Sequence, residues 1–221
     1  MRGFFLTFEG VEGSGKSTQI RRLAEALQKE GKKVLVTREP GGTPIGDQIR
    51  KILLDPAFNG MFPIAETLLY AANRHQHVKE IILPALKNGT VVLCDRYADA
   101  TMAYQGFGRN VDIEFLKILH EHAAEGLQPD ITILMDCDPE VGLRRALGRQ
   151  QKDPSLIQEG RFENEHLSFH RKVREGYLQL AKEEPKRFRI FDAMLSPSAL
   201  HEKIFEVVSV PLLCKEGVRG R

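Results

Sequence analysis

The chain has little by way of a long apolar run near its start, no dominant charge sign and no metal-ligand cysteine pattern, and each shortage argues against a class of function. The first apolar run, Phe4–Phe8, is five residues long and meets Glu9, too short for a signal peptide or a membrane span. Lys and Arg number 32 and Asp and Glu 30, leaving +2. That balance supplies no broad field for nucleic acid or a membrane surface, so small-molecule substrates are the expected partners. The three cysteines (Cys94, Cys137, Cys214) are far apart. Cys94 and Cys137 lie in apolar runs and read as buried, reduced thiols of a soluble, cytoplasmic protein. The pairs His75/His77 and His120/His122 are spaced i, i+2, which on a helix points them in different directions, so they do not read as metal ligands. Asn88-Gly89-Thr90 matches a glycosylation acceptor but reads more simply as a turn ahead of a strand.

What is present is an alternation of strands and helices. Phe4–Phe8, Val34–Thr37, Val91–Cys94, Ile131–Met135 and Phe188–Phe191 are short apolar runs without hydrophobic/polar alternation. That is the pattern of parallel strands covered on both faces. Ile20, Leu23, Ala24 and Leu27 fall on one helical face ahead of Gly31. Asp138-Pro139-Glu140 reads as a cap, a first-turn proline and an acid opening a helix through Leu147. Phe169, Val173, Tyr177 and Leu180 mark a longer helix starting near Glu163. These elements predict an α/β three-layer domain over residues 1–210, with a five-stranded parallel sheet flanked by helices. Between two of the helices, Gly148–Arg161 is polar, contains Pro154 and reads as a lid segment. Residues 211–221 read as a flexible tail.

The strongest motif is Gly10-Val11-Glu12-Gly13-Ser14-Gly15-Lys16-Ser17, a full G-x-x-x-x-G-K-[ST] phosphate loop between a strand and a helix. Its glycines let successive N–H groups and the helix N-terminus converge on phosphate oxygens. Lys16 adds charge at the β- and γ-phosphates, Ser17 offers a hydroxyl to Mg²⁺, and Thr18 follows in the first helical turn. The loop alone leaves kinase, switch and motor open. The Asn-Lys-x-Asp segment typical of guanine-specific switches is missing.

The phosphate loop, extended from Phe8, combines with Thr37-Arg38-Glu39-Pro40-Gly41-Gly42-Thr43, Asp95-Arg96-Tyr97, Tyr104-Gln105-Gly106, and Arg161-Phe162-Glu163 through Gly176-Tyr177-Leu178. This combination resembles the bacterial thymidylate kinases over nearly the whole chain. The resemblance implies a P-loop NTPase fold, ATP and dTMP as substrates, Mg²⁺, and a homodimer packed through helices. It implies that Arg96 holds the acceptor phosphate and Asp95 organises Lys16 and Mg²⁺, against an ordinary strand-end ion pair. Glu12 would accept from the nucleotide 3′-hydroxyl near the metal. Glu39 would lie near Mg²⁺ in a tight turn that can hold a cis peptide before Pro40, and Arg50 would reach the monophosphate unless it is a solvated helix charge. Tyr70 would stack on thymine unless it is a core aromatic, with Arg74 four residues on. Thr101 and Gln105 would read the base edge, and Tyr104 would crowd the sugar 2′ position.

One branch of the family carries an arginine inside the phosphate loop, where Gly13 and Ser14 stand here. The missing charge is therefore expected from the lid, through Arg149, Arg161 or both. An acceptor phosphate oxygen is already anionic, so no general base is needed and catalysis reduces to positioning and electrostatics. A kinase for another small phosphate acceptor and a switch without turnover are the competing readings.

Overall fold

The computed structural model describes residues 2–214. Within them, five strands form one parallel sheet in the order β2-β3-β1-β4-β5: β1 (Phe4–Glu9), β2 (Val34–Arg38), β3 (Val91–Asp95), β4 (Ile131–Asp136) and β5 (Phe188–Asp192). The helices are α1 (Lys16–Lys29), α2 (Pro44–Leu54), α3 (Pro63–His77), α4 (Leu83–Lys87), α5 (Ala98–Thr101), α6 (Ile113–Ala124), α7 (Pro139–Lys152), α8 (Leu167–Glu183) and α9 (Pro197–Cys214). Two π-helical stretches, Val78–Ile82 and Met102–Gly108, continue α3 and α5. Among the described residues, no helix is long and apolar enough to cross a membrane.

Each strand runs one residue beyond the apolar run that marks it, and that residue is charged: Glu9, Arg38, Asp95, Asp136 or Asp192. Parallel pairing sets these ends along one rim, with Phe8 opposite Asp95, Arg38 opposite Asp95, and Asp136 opposite Asp192. Ligands of open α/β sheets bind at this carboxyl rim. Successive residues of β1 and β3 feed two cores on opposite faces. Phe4, Leu6, Phe8, Val91 and Leu93 join one; Phe5, Val92 and Cys94 join the other. The edge strands differ: Val36 of β2 and Ile190 of β5 are exposed, because an edge receives less cover than the centre.

Ile20, Leu23, Ala24 and Leu27 of α1 are buried. The Asp138 carboxylate accepts from the Glu140 N–H at 2.8 Å and caps α7. That helix continues to Lys152 rather than ending at Leu147, and a 3₁₀ turn at Pro154–Glu159 follows. The segment expected to be an irregular lid is therefore mostly helical, 148–152 finishing α7 and 154–159 forming the 3₁₀ turn. Its first turn, rich in Arg and Gln, extends a helix already nucleated and capped. Helix α8 begins at Leu167, four residues later than the sequence pattern indicates. Helix α9 reaches Cys214, past the expected boundary at 210. The rest of the expected tail, 215–221, lies outside the described residues.

Candidate active site

The carboxyl rim opens into a cleft of about 1180 Å³. The phosphate loop forms one end. Gly15, with φ 97°, precedes α1 and turns the chain so that Lys16 and Ser17 begin the helix. Gly13 (φ 69°) lies against α7: a Cβ there would meet the Gly142 carbonyl oxygen at 2.0 Å. A Cβ on Gly142 would in turn meet the Glu12 carbonyl oxygen at 2.3 Å. The loop and the first turn of α7 thus touch backbone to backbone, and no side chain fits at position 13. Lys16 Nζ donates to Gly10 O and Val11 O, each at 3.0 Å. Burial and the neighbouring Arg96 push its pKa down to about 8. Ser17 Oγ donates to Asp95 Oδ2 at 3.0 Å across the rim.

The other end is built from distant pieces of chain. Arg96 follows β3 with φ 67°, a backbone region that costs energy for a non-glycine residue and recurs at functional sites. Its guanidinium lies over the Tyr104 ring at 4.8 Å. It donates to Tyr177 Oη (3.0 Å), Tyr104 Oη (2.9 Å) and Glu12 Oε1 (3.0 Å). The Tyr104 hydroxyl donates to the same Glu12 oxygen at 2.5 Å. Burial works to raise the Glu12 pKa, but Arg96, His170 and Lys16 outweigh it and hold this carboxyl well below the usual range. Arg74 donates to Glu39 Oε2 (2.9 Å), Tyr97 O (3.0 Å) and Thr101 Oγ1 (2.9 Å). Gln105 Nε2 donates to Glu66 Oε1 at 2.7 Å. Tyr70, half-buried, and Arg50 complete the wall. The Arg50 guanidinium grips Glu159 of the 154–159 turn through two bonds, at 3.0 and 2.7 Å, and donates to Pro40 O at 3.0 Å.

Of the residues singled out in the sequence, all but Gly10, Ser14 and Arg161 line this one cleft. Gly10 and Ser14 form the back of the phosphate loop, where Ser14 Oγ accepts from Lys16 Nζ at 3.4 Å. Two of the expected residues are engaged within the protein. Arg161 does not line the cleft: it is 3% exposed and donates to Leu53 O at 2.6 Å and to Glu66 Oε2. The fully buried Glu66 carboxylate demands a cation; Arg161 is the nearer one, with Arg109 Nε at 3.5 Å on the other oxygen. Glu39, expected near Mg²⁺, is the other. Its two oxygens are committed to Arg74 and to His77 Nδ1, the latter at 3.0 Å, inside the turn whose Glu39–Pro40 peptide is cis. Arg149 stays exposed on the cleft wall.

The model of one family, thymidylate kinase, matches residues 8–204. The chain belongs to the thymidylate kinase family. It is 53% identical over 213 residues to the thymidylate kinase of Trichlorobacter lovleyi, covering 94% of this chain and all of that one. Identity is 56% over 190 residues with the Geotalea daltonii enzyme (86% of this chain, 89% of that one). With that of Nitratidesulfovibrio vulgaris it is 50% over 204 residues (92% and 95%).

Within this thymidylate kinase site several partners escape a motif reading. Tyr177 reads in sequence as a core aromatic, yet its hydroxyl accepts from Arg96 and donates to Glu9 Oε2 at 2.7 Å. Glu9 also accepts from the Tyr97 N–H at 2.7 Å, and burial together with Asp99 pushes its pKa up to about 7. His77 bridges Glu39 and the Thr37 hydroxyl, the latter at 2.6 Å. The available signal was spacing: His170, Val173 and Tyr177 share one stripe of α8 at i, i+3 and i+7, with two polar tips on an otherwise apolar face.

Proposed function

We propose that this thymidylate kinase family member phosphorylates dTMP, with ATP as donor: ATP + dTMP → ADP + dTDP. The observation that carries the reading is the single cleft joining a phosphate loop to an arginine- and tyrosine-lined pocket. A switch needs only the first; a phosphoryl transferase between two nucleotides needs both. One acceptor phosphate oxygen forms a bond to the terminal phosphorus of ATP while the bond from that phosphorus to the bridging oxygen breaks. Lys16 leaves its loop carbonyls for the donor phosphates. Arg96 and Arg50 hold the acceptor phosphate, the guanidinium fork matching its oxygens. For Arg50 the phosphate takes the place of the Glu159 carboxylate. Arg74, Thr101 and Gln105 face the base edge, Tyr70 its ring, and Tyr104 the sugar.

Mg²⁺ fits this site: Ser17 Oγ and Asp95 Oδ2, hard oxygens 3.0 Å apart at the mouth of the loop, are the donors it takes and would be the residues to hold it. When bound, it would neutralise charge on the donor phosphates. Residues 148–161 act as the lid, with Arg149 as the arginine that meets the transferring phosphoryl group. A homodimer is part of the same reading, supported by apolar side chains facing outward on the adjoining helices α3 and α6: Phe62 at its start (81% exposed), Ile64 and Leu68, then Phe115 and Ile118. Sedimentation at micromolar concentration tests it. The proposed location is the cytoplasm.

An acceptor panel under saturating MgATP decides the function. Rapid ADP release with dTMP, slower release with dUMP, and little with dCMP, dGMP or AMP is expected. The thymine methyl is worth roughly 1–3 kcal/mol, so dUMP should trail by about 10- to 200-fold in kcat/KM. ADP release independent of any acceptor would overturn the kinase reading.

A further inference from the structure

The Glu12 carboxylate is held unevenly. Oε1 takes both Tyr104 Oη and Arg96 Nη2. Facing Oε2 is one group, Nδ1 of His170, at 3.2 Å. The contact lies off the axis of a well-formed bond, so among the described residues Glu12 Oε2 and both His170 ring nitrogens lack a hydrogen-bond partner of good geometry. His170 is 0% exposed, and a buried imidazole with unsatisfied nitrogens is costly. A carboxylate oxygen only accepts, so Nδ1 must carry the proton for this approach to be favourable. Bent contacts of this kind tighten when a substrate completes the set of donors.

A carboxylate has about four lone-pair directions. Tyr104 and Arg96 take those of Oε1, His170 faces Oε2, and Oε2 is sealed from solvent, so a donor entering the cleft that Glu12 lines meets the carboxylate at Oε1, in place of Tyr104 or Arg96. Resting on the reading of Glu12 as acceptor for the sugar hydroxyl, we propose that His170 is a positioning residue for deoxyribose recognition. Its Nδ1–H holds Oε2 inward and so fixes the rotation of the Glu12 carboxylate, keeping Oε1 turned to the cleft for the 3′-hydroxyl of the incoming monophosphate. The same α8 stripe carries Tyr177, which holds Arg96. One helix face thereby orients the sugar-binding carboxylate and the phosphate-binding arginine together.

The test compares dTMP with its 3′-deoxy analogue as acceptors for the wild type, His170→Phe and His170→Asn. The wild type should prefer dTMP. His170→Phe keeps an aromatic ring and removes the N–H; it should raise KM for dTMP about tenfold and leave KM for the 3′-deoxy analogue within about twofold, the loss of one hydrogen bond to a charged group. His170→Asn, whose amide N–H can stand where Nδ1 stands, should restore most of the preference. A merely structural histidine would move both acceptors alike, and that result, or a His170→Phe enzyme with the wild-type preference intact, overturns the proposal. Wild-type enzyme indifferent to the 3′-hydroxyl would instead refute the Glu12 reading beneath it. Should His170→Phe not fold, His170→Gln, which carries its amide to the Nε2 position, takes its place with the same expected loss.

Discussion

The phosphate loop and the acceptor pocket face each other across one cleft and are made in opposite ways. The loop is eight consecutive residues whose side-chain lysine bonds to its own backbone. The pocket draws on the β2–α2 turn, α2, α3, the end of β3, the 102–108 π-helix and α8, and its cations are balanced by carboxylates from elsewhere in the chain. A local device tolerates change in its neighbours. A device assembled from afar depends on every packing contact that brings its parts together, so its residues divide sharply into those that meet substrate and those that hold the frame.

The two lid-segment arginines test that division most severely. Arg149→Ala should lower kcat by about 10³–10⁵-fold, as expected of an arginine finger, with folding stability unchanged. Steady-state rates beside a urea titration check both halves. Arg161→Ala should do the reverse. It leaves the buried Glu66 with the longer Arg109 contact, at 3.5 Å, as its remaining cation, and unfolding should show a loss of about 3 kcal/mol. Equal effects of the two substitutions on kcat would erase the distinction.

Acid–base linkage at Glu9 gives a middle-sized effect. Its folded pKa, about 7, lies above the ordinary 4.5, so below pH 4.5 the carboxyl is protonated in both states and its contribution is full. As pH rises from 4.5 through 7, the unfolded state ionises first and that stability is lost, on the order of 3 kcal/mol. Glu9→Gln should therefore gain on the wild type across this window in denaturant titrations at stepped pH. Parallel curves would show that Glu9 titrates normally. Gly142→Ala probes the place where the local device leans on its neighbour. The added methyl collides with the Glu12 carbonyl, and overpacking should cost about 1–3 kcal/mol with a rise in KM for ATP. Smallest is Glu159→Gln: freeing Arg50 from a partly exposed pair should lower KM for dTMP by no more than about fivefold, since such pairs are worth at most about 1 kcal/mol.

The five strands, the phosphate loop and the face of α1 were legible because each is written within a few consecutive residues. The strand ends were misread by one position each, since apolar runs stop where the charged rim begins. Arg149 and Arg161, alike as members of one polar segment, were indistinguishable until Glu66, far away on α3, was seen to claim one of them. Tyr177 looked like a core position because a helical stripe reports burial, and burial does not reveal which neighbour a polar tip will find; His170, on the same stripe, drew no reading at all.

By itself the sequence determined the chemistry available: a strand–loop–helix that binds phosphate, a parallel α/β frame, and an inventory of arginines, tyrosines and carboxylates. Tertiary structure alone decided who pairs with whom. Local backbone preference and hydrophobic period act over a few residues, whereas a buried charge selects its partner by distance in space, and that distance exists only once the sheet and its helices have packed.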